Sequence, residues 1–248
     1  MEKVGLQLYS IKELTQKDFI GAIEKVAKIG YDGVEFAGYF DTPAKDLKAV
    51  LGAYGIKPAG SHIGLAKLKD ELDRVIEYCL EIGDPYIICP SMPANMRDSA
   101  DAWKRNAEFF NTVGEKCKAN GIRFGYHNHA YEFEVFDGKF ALDILVENTQ
   151  PDLMFVELDT FWVEYMNLKS VDFINKYNKR CSVLHIKDMK SPEEKINTEI
   201  GKGIMDFKEI TSLGKKIGVE WYTVEQEEFE VDQLYSIKES LTYMREIL

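Results

Sequence analysis

The chain has 248 residues and a formal net charge of −11; 45% of it is hydrophobic, ample for a large core, while the acidic surface repels phosphate backbones and argues against nucleic-acid partners. No apolar run approaches the roughly 18 residues of a membrane span, and the opening MEKVGLQLYS already reads as a strand, with no room for a signal peptide. The four cysteines, Cys79, Cys89, Cys117 and Cys181, are scattered without a CxxC pair, as expected of reduced, buried thiols in a cytoplasmic protein.

Residues 4–9 (VGLQLY) predict a first strand. A helix over 17–29 follows, with Phe19, Ile23, Val26 and Ile29 on one stripe and Gly30 closing it. Residues 32–36 predict the second strand, Pro43 opens a helix to 54, and 56–62 predict the third strand. A helix over 68–82 leads to an apolar fourth strand at 85–89. The long helix over 99–119 carries Trp103, Ala107, Phe110 and Cys117 on one face and stops at Asn120-Gly121. Strands are then expected at 122–129, 153–158, 181–186 and 219–225, separated by helices at 140–147, 171–177 and from Asp206 to near Gly218. Residues 189–205 form the longest irregular stretch and are expected to move over the site on binding. Leu234, Ile237, Leu241, Met244 and Leu248 mark the final helix.

Eight strands alternating with eight helices imply a parallel sheet with helical crossovers. In about 250 residues this favours an α/β class, single (β/α)8 TIM barrel spanning 1–248 as one domain. No GxGxxG follows an early strand, so a dinucleotide site is not supported.

Active sites of such barrels lie at the C-terminal strand ends. Those ends carry Gln7 and Tyr9, Glu35, His62, His127-Asn128-His129, Glu157 and Asp159, His185 and Lys187, and Glu225 to Glu227. Buried charges are costly unless paired or metal-bound, so a core built for stability alone would not choose them. Strand alternation puts His127 with His129, Glu157 with Asp159, and His185 with Lys187 on the inner side. The run Glu225, Glu227, Glu228, Glu230 reads mostly as a solvated edge, with Glu225 alone at a ligand position.

The ordered pieces GLQLYS (5–10), YDGVEF (31–36), YHNHAYEF (126–133), VELDTFWV (156–163), LHIKD (184–188) and VEQEE (224–228) resemble the xylose isomerase-like barrel superfamily of sugar-phosphate isomerases and epimerases. The resemblance implies one divalent ion held by His127, Asp159, His185 and Glu225, with His127 standing where many relatives have glutamate. It also implies a small sugar, keto-sugar or polyol substrate, and a proton moved next to a metal-polarised carbonyl. Glu225, His129, Glu157 and Lys187 are the acid/base candidates; His62, Glu35 and Trp162 are the substrate contacts. With one glutamate of the usual pair replaced, elimination by a lyase or dehydratase stands nearly level with isomerisation or epimerisation. A mixed nitrogen and oxygen set favours Mn2+ or Zn2+, admits Co2+ or Fe2+, and suits Mg2+ least. Four histidines and the acidic charge disfavour an endonuclease IV-like enzyme, and the retained ligand set disfavours a non-catalytic binding barrel. A homodimer is expected on analogy alone.

Overall fold

The structure, a computed structural model, describes residues 2–248. Eight parallel strands close into a barrel: β1 (Lys3–Gln7), β2 (Gly33–Phe36), β3 (Lys57–His62), β4 (Tyr86–Cys89), β5 (Arg123–His127), β6 (Phe155–Asp159), β7 (Cys181–Ile186) and β8 (Trp221–Val224). Neighbours in sequence are neighbours in the sheet, and β8 returns to pair with β1. The main helices, α1 (Phe19–Ile29), α2 (Ala44–Tyr54), α3 (Leu72–Ile82), α4 (Ala100–Ala119), α5 (Ala141–Asn148), α6 (Ser170–Lys176), α7 (Phe207–Ile217) and α8 (Gln233–Ile247), follow the strands in turn. The closed barrel is the architecture expected from the alternation.

The local rules behind the helices hold. Ser99 accepts the Ala102 amide at the start of α4, and Asp206 accepts the Glu209 amide at the start of α7. Trp103, Ala107, Phe110 and Cys117 are fully buried against the sheet. All four cysteines are free and buried.

Several boundaries differ from expectation, each for a local reason. The first helix is split: Lys12–Lys17 precedes α1, and Asp18 between them accepts the Gly21 amide. Strand five ends at His127 rather than at 129, because the Glu132 carboxylate accepts the His129 amide at 2.8 Å and turns the chain. β6 runs to Asp159, which then caps an unexpected short helix, Thr160–Tyr165. The stretch 189–205 contains all but the first residue of a two-stranded hairpin, Asp188–Met189 with Asn197–Thr198. The buried Asp188 carboxylate accepts the amides of Met189, Gly201, Gly203 and Met205, which fastens that loop.

Inside the barrel the lower layer is apolar: Ala59, Tyr86, Ile88, Phe155, Val183 and Trp221 form their own cluster. Two glycines make room for it. A Cβ on Gly33 or on Gly125 would meet the ring of Trp221 or Phe155 at 2.5 Å. Above this floor the inward positions turn polar.

Candidate metal centre

The strand register brings the polar positions together. His127 pairs with Glu157 across β5/β6, Asp159 with His185 across β6/β7, and His185 with Thr223 across β7/β8. A register shift between Val156 and Glu157 bends β6 just before the site, as bulges beside active sites do. Asn128 locks the ends of β5 and β6: its Oδ1 accepts the Asp159 amide at 3.0 Å and its Nδ2 donates to the Asp159 carbonyl at 3.3 Å.

His127, Asp159, His185 and Glu225 each offer a ligand atom, all within 4.8 Å of one another, and all four are buried. His127 Nε2 lies 4.0 Å from Asp159 Oδ2, and His185 Nδ1 lies 3.3 Å from Glu225 Oε2. Donors sharing one tetrahedral ion at about 2.1 Å sit roughly 3.4 Å apart, so small adjustments would bring these onto one ion. Asp159 divides its labour. Its Oδ1 accepts the Phe161 and Trp162 amides at 2.8 and 3.2 Å, while Oδ2 is buried with no hydrogen-bond partner. An orphaned buried carboxylate oxygen facing a histidine nitrogen fits a cation. A second group, His62, His127, Glu157 and His185, also converges within 4.8 Å. There, however, His62 Nε2 and Glu157 Oε2 already satisfy each other at 2.7 Å. The donor set containing Asp159 is therefore the better fit.

Electrostatics point the same way. Glu35, Glu157, Asp159 and Glu225 gather four buried carboxylates, against the ammonium of Lys187. Protons make up the balance. Burial pushes Asp159 up to about 6, and burial with the neighbouring Glu35 charge pushes Glu157 up to about 8. Burial opposes a charge on His185, but the carboxylates of Glu157 and Glu35 outweigh it and hold the ring's pKa well above the usual value. His127 is driven well below the usual value, by burial first and then by His185 and His129. For Glu225, burial is outweighed by Lys187 and His185, which hold it far below the usual carboxylate range. A divalent cation would take over from these protons, as metal binding to such ligands does.

A cavity of about 350 Å³ opens above the cluster, lined by Tyr9, His62, His127, His129, Glu225 and Glu227 among others. His129 stacks on Tyr131, with ring centres 5.7 Å apart, and lies 5.6 Å from half-buried Trp162. Lys187 is fully buried; its amine lies 3.7 Å from Glu225, bonds Glu227 and sits 5.1 Å over the Trp162 ring. Glu35 and Glu157 lie deeper and do not line the cavity. Glu35 Oε2 is 2.7 Å from His185 Nε2, and Glu157 Oε2 is 3.2 Å from His127 Nδ1. His62 reaches both worlds, lining the cavity while bonding Glu157 beneath it.

Sequence reasoning placed two further residues at the strand ends without giving them a site role. Glu227, read as part of a solvated edge, lines the cavity and holds Lys187. Gln7 sits beneath, bonded to Glu35. Gln7 left one signal: an uncharged but polar residue ending an otherwise apolar strand.

Known proteins share this arrangement of strands. The chain is 25% identical over 190 residues to an inosose dehydratase of Geobacillus kaustophilus, a match that covers 68% of this chain and 61%, under two thirds, of that protein. It is 25% identical over 203 residues to a 2-oxo-tetronate isomerase of Haemophilus influenzae, covering 71% and 78% of the two chains. A sugar phosphate isomerase/epimerase from Parabacteroides distasonis superposes with a TM-score of 0.85 at 27% identity, over 98% of this chain and 93% of that one. These relatives are enzymes built on one scaffold, and they differ in reaction. A family model described as xylose isomerase-like TIM barrel matches residues 23–247, which include His127, Asp159, His185 and Glu225, and the chain belongs to that family.

Proposed function

We propose that this chain is a divalent-metal-dependent isomerase or epimerase acting on a sugar, keto-sugar or polyol. The observation that carries the reading is the convergence of His127, Asp159, His185 and Glu225 at the base of one cavity. Two nitrogens and two oxygens suit Mn2+ or Zn2+ best, with Co2+ and Fe2+ next and Mg2+ last. A bound ion supplies Lewis acidity, polarising a substrate carbonyl and easing loss of the neighbouring proton. Glu225 is the base: it borders the cavity and stays ionised under the influence of Lys187 and His185. His129, held down to about 4 chiefly by burial, is neutral near pH 7 and has a buried, unpartnered Nδ1 with which to accept a substrate hydroxyl. Lys187 steadies Glu225 and Glu227. Trp162 offers an apolar face beside His129, suited to the C–H side of a sugar.

One observation favours a second reading. The carboxylates that line the cavity, Glu225 and Glu227, both follow β8 and so approach a substrate from one side. One-sided chemistry, the elimination of water from a keto-sugar or inosose, needs no second carboxylate opposite.

The test is metal content of protein reconstituted with Mn2+ or Zn2+, for wild type and for His127→Ala, Asp159→Ala, His185→Ala and Glu225→Ala. It is followed by solvent-deuterium exchange and product analysis on a panel of keto-sugars. One ion per chain lost in all four variants, with exchange into substrate, supports the reading; an unsaturated product selects the dehydratase. A wild type that takes up no ion, or ligands bound without exchange or product, sinks it in favour of a binding barrel.

A further inference from the structure

We infer that Gln7, outside the ion-facing set, is a positioning residue: with Glu35 it fixes which nitrogen of His185 faces the ion and which nitrogen of His62 carries its proton. For His185 this rests on the metal reading above; for His62 it does not.

Gln7 is fully buried at the end of β1, directly across from Glu35 in the sheet register. The Tyr9 amide donates to Gln7 Oε1 at 3.0 Å, which orients the side-chain amide and leaves Nε2 for the barrel interior. That Nε2 donates to Glu35 Oε2 at 2.5 Å and lies 3.3 Å from His62 Nδ1. An amide nitrogen only donates, so His62 Nδ1 must accept. The His62 proton then sits on Nε2, 2.7 Å from Glu157 Oε2. Burial opposes a second proton on this ring while the Glu35 and Glu157 carboxylates favour one; on Nδ1 it would face the Gln7 amide donor.

The same Glu35 oxygen that accepts from Gln7 accepts from His185 Nε2 at 2.7 Å. His185 is thereby left with Nδ1, beside Glu225, as its lone-pair nitrogen for the ion. Carboxylates that hold the far nitrogen of a ligating histidine set its tautomer and ring orientation in this way. Gln7 adds a fixed donor that holds Glu35 in place. Asparagine would be one methylene short of Glu35, and glutamate would bring no donor.

With four histidines in the chain, long-range 1H–15N spectra of labelled protein can read each imidazole. In zinc-loaded wild type, His62 and His185 should both carry their proton on Nε2, with His185 Nδ1 metal-bound. Gln7→Met, similar in length but without donors, should mix the two His62 tautomers and weaken zinc binding about 10–100-fold while the protein stays folded. Gln7→Glu should move the His62 proton to Nδ1, toward the new carboxylate, a change that a merely space-filling role would not produce. Wild-type spectra and zinc affinity in the Met variant overturn the inference, whether or not the Glu variant folds. If wild-type protein binds no zinc, the metal reading fails, and the His62 signals of zinc-free wild type and Gln7→Met still decide the role of Gln7.

Discussion

The two ends of the barrel interior are made by the same eight strands and obey opposite rules. At the floor, Tyr86, Phe155 and Trp221 pack with Ala59, Ile88 and Val183, and Gly33 on β2 and Gly125 on β5 give way to the rings of Trp221 and Phe155. Charge is kept to the rim below, where Glu220 bonds Tyr86 and pairs with Arg123. Arg180, also at that end, spends its donors on Met154, Val146 and Thr149, tying down the end of α5. One or two residues higher, the inward positions hold four carboxylates and three histidines, and some of their atoms find no partner. The floor is optimised for the folded chain by itself. The upper layer leaves Asp159 Oδ2, His127 Nδ1, Glu35 Oε1 and Glu157 Oε1 buried without a hydrogen-bond partner.

The contrast is tested hardest at Asp159. Asp159→Asn keeps an acceptor for the Phe161 and Trp162 amides but removes the charge. We expect solvent-proton exchange into substrate to fall at least about 10³-fold, the equivalent of about 4 kcal/mol in the barrier, with ion binding lost as well. The metal-free protein should melt no lower than wild type, since burial already opposes the ionised carboxyl. A clear drop in the metal-free melting temperature would mean that Asp159 is there for the fold.

The floor should behave in reverse. Trp221 is one of the largest fully packed side chains, and Trp221→Ala leaves a cavity in the barrel floor beside Gly33 and the cluster of Ala59, Tyr86, Ile88, Phe155 and Val183. The expected cost is about 4–5 kcal/mol in denaturant unfolding, with the ion content of the folded fraction unchanged. Loss of the ion at full folding would show that the two layers are not separable.

The sequence made this division visible in part. Alternation in VELD put Glu157 and Asp159 on the inner face, and the helix stripes through Trp103 and Phe110 told the outer face from solvent. What stayed hidden depends on partners far along the chain or on irregular backbone. His129 could not be seen to leave the strand, because the turn is made by the Glu132 carboxylate capturing its amide. Asp159 was legible as an inward-facing acid at a strand end but not as a helix cap, since the same residue type serves both places. Glu227 looked solvated in a run of glutamates; the ion pair that draws it inward comes from Lys187, 40 residues away. Gln7 carried no charge to mark it, and its role lies wholly in the orientation imposed by the Tyr9 amide.

A buried acid on the outer face of the sheet draws the line between the layers more finely. Asp84 accepts from Ser61 Oγ at 2.5 Å and from the Tyr86 amide at 3.0 Å; Tyr39, from the β2 side, donates to Ser61 and contacts Cys79 of α3. No cation pairs with it among the described residues, and burial pushes it up to about 7 against these hydrogen bonds, with a smaller push from Glu35. A carboxyl whose pKa is raised on folding contributes stability that is fully present below its unfolded value and is lost as pH rises through its folded value. The contribution of Asp84 should therefore be intact below pH about 4 and gone above about 7, a swing on the order of 4 kcal/mol. Asp84→Asn should flatten the pH dependence of unfolding across that window and leave ion content untouched. If the variant instead reproduces the wild-type slope, the acid-side stability comes from the carboxylates around the ion site, and the upper layer governs the fold as well as the chemistry.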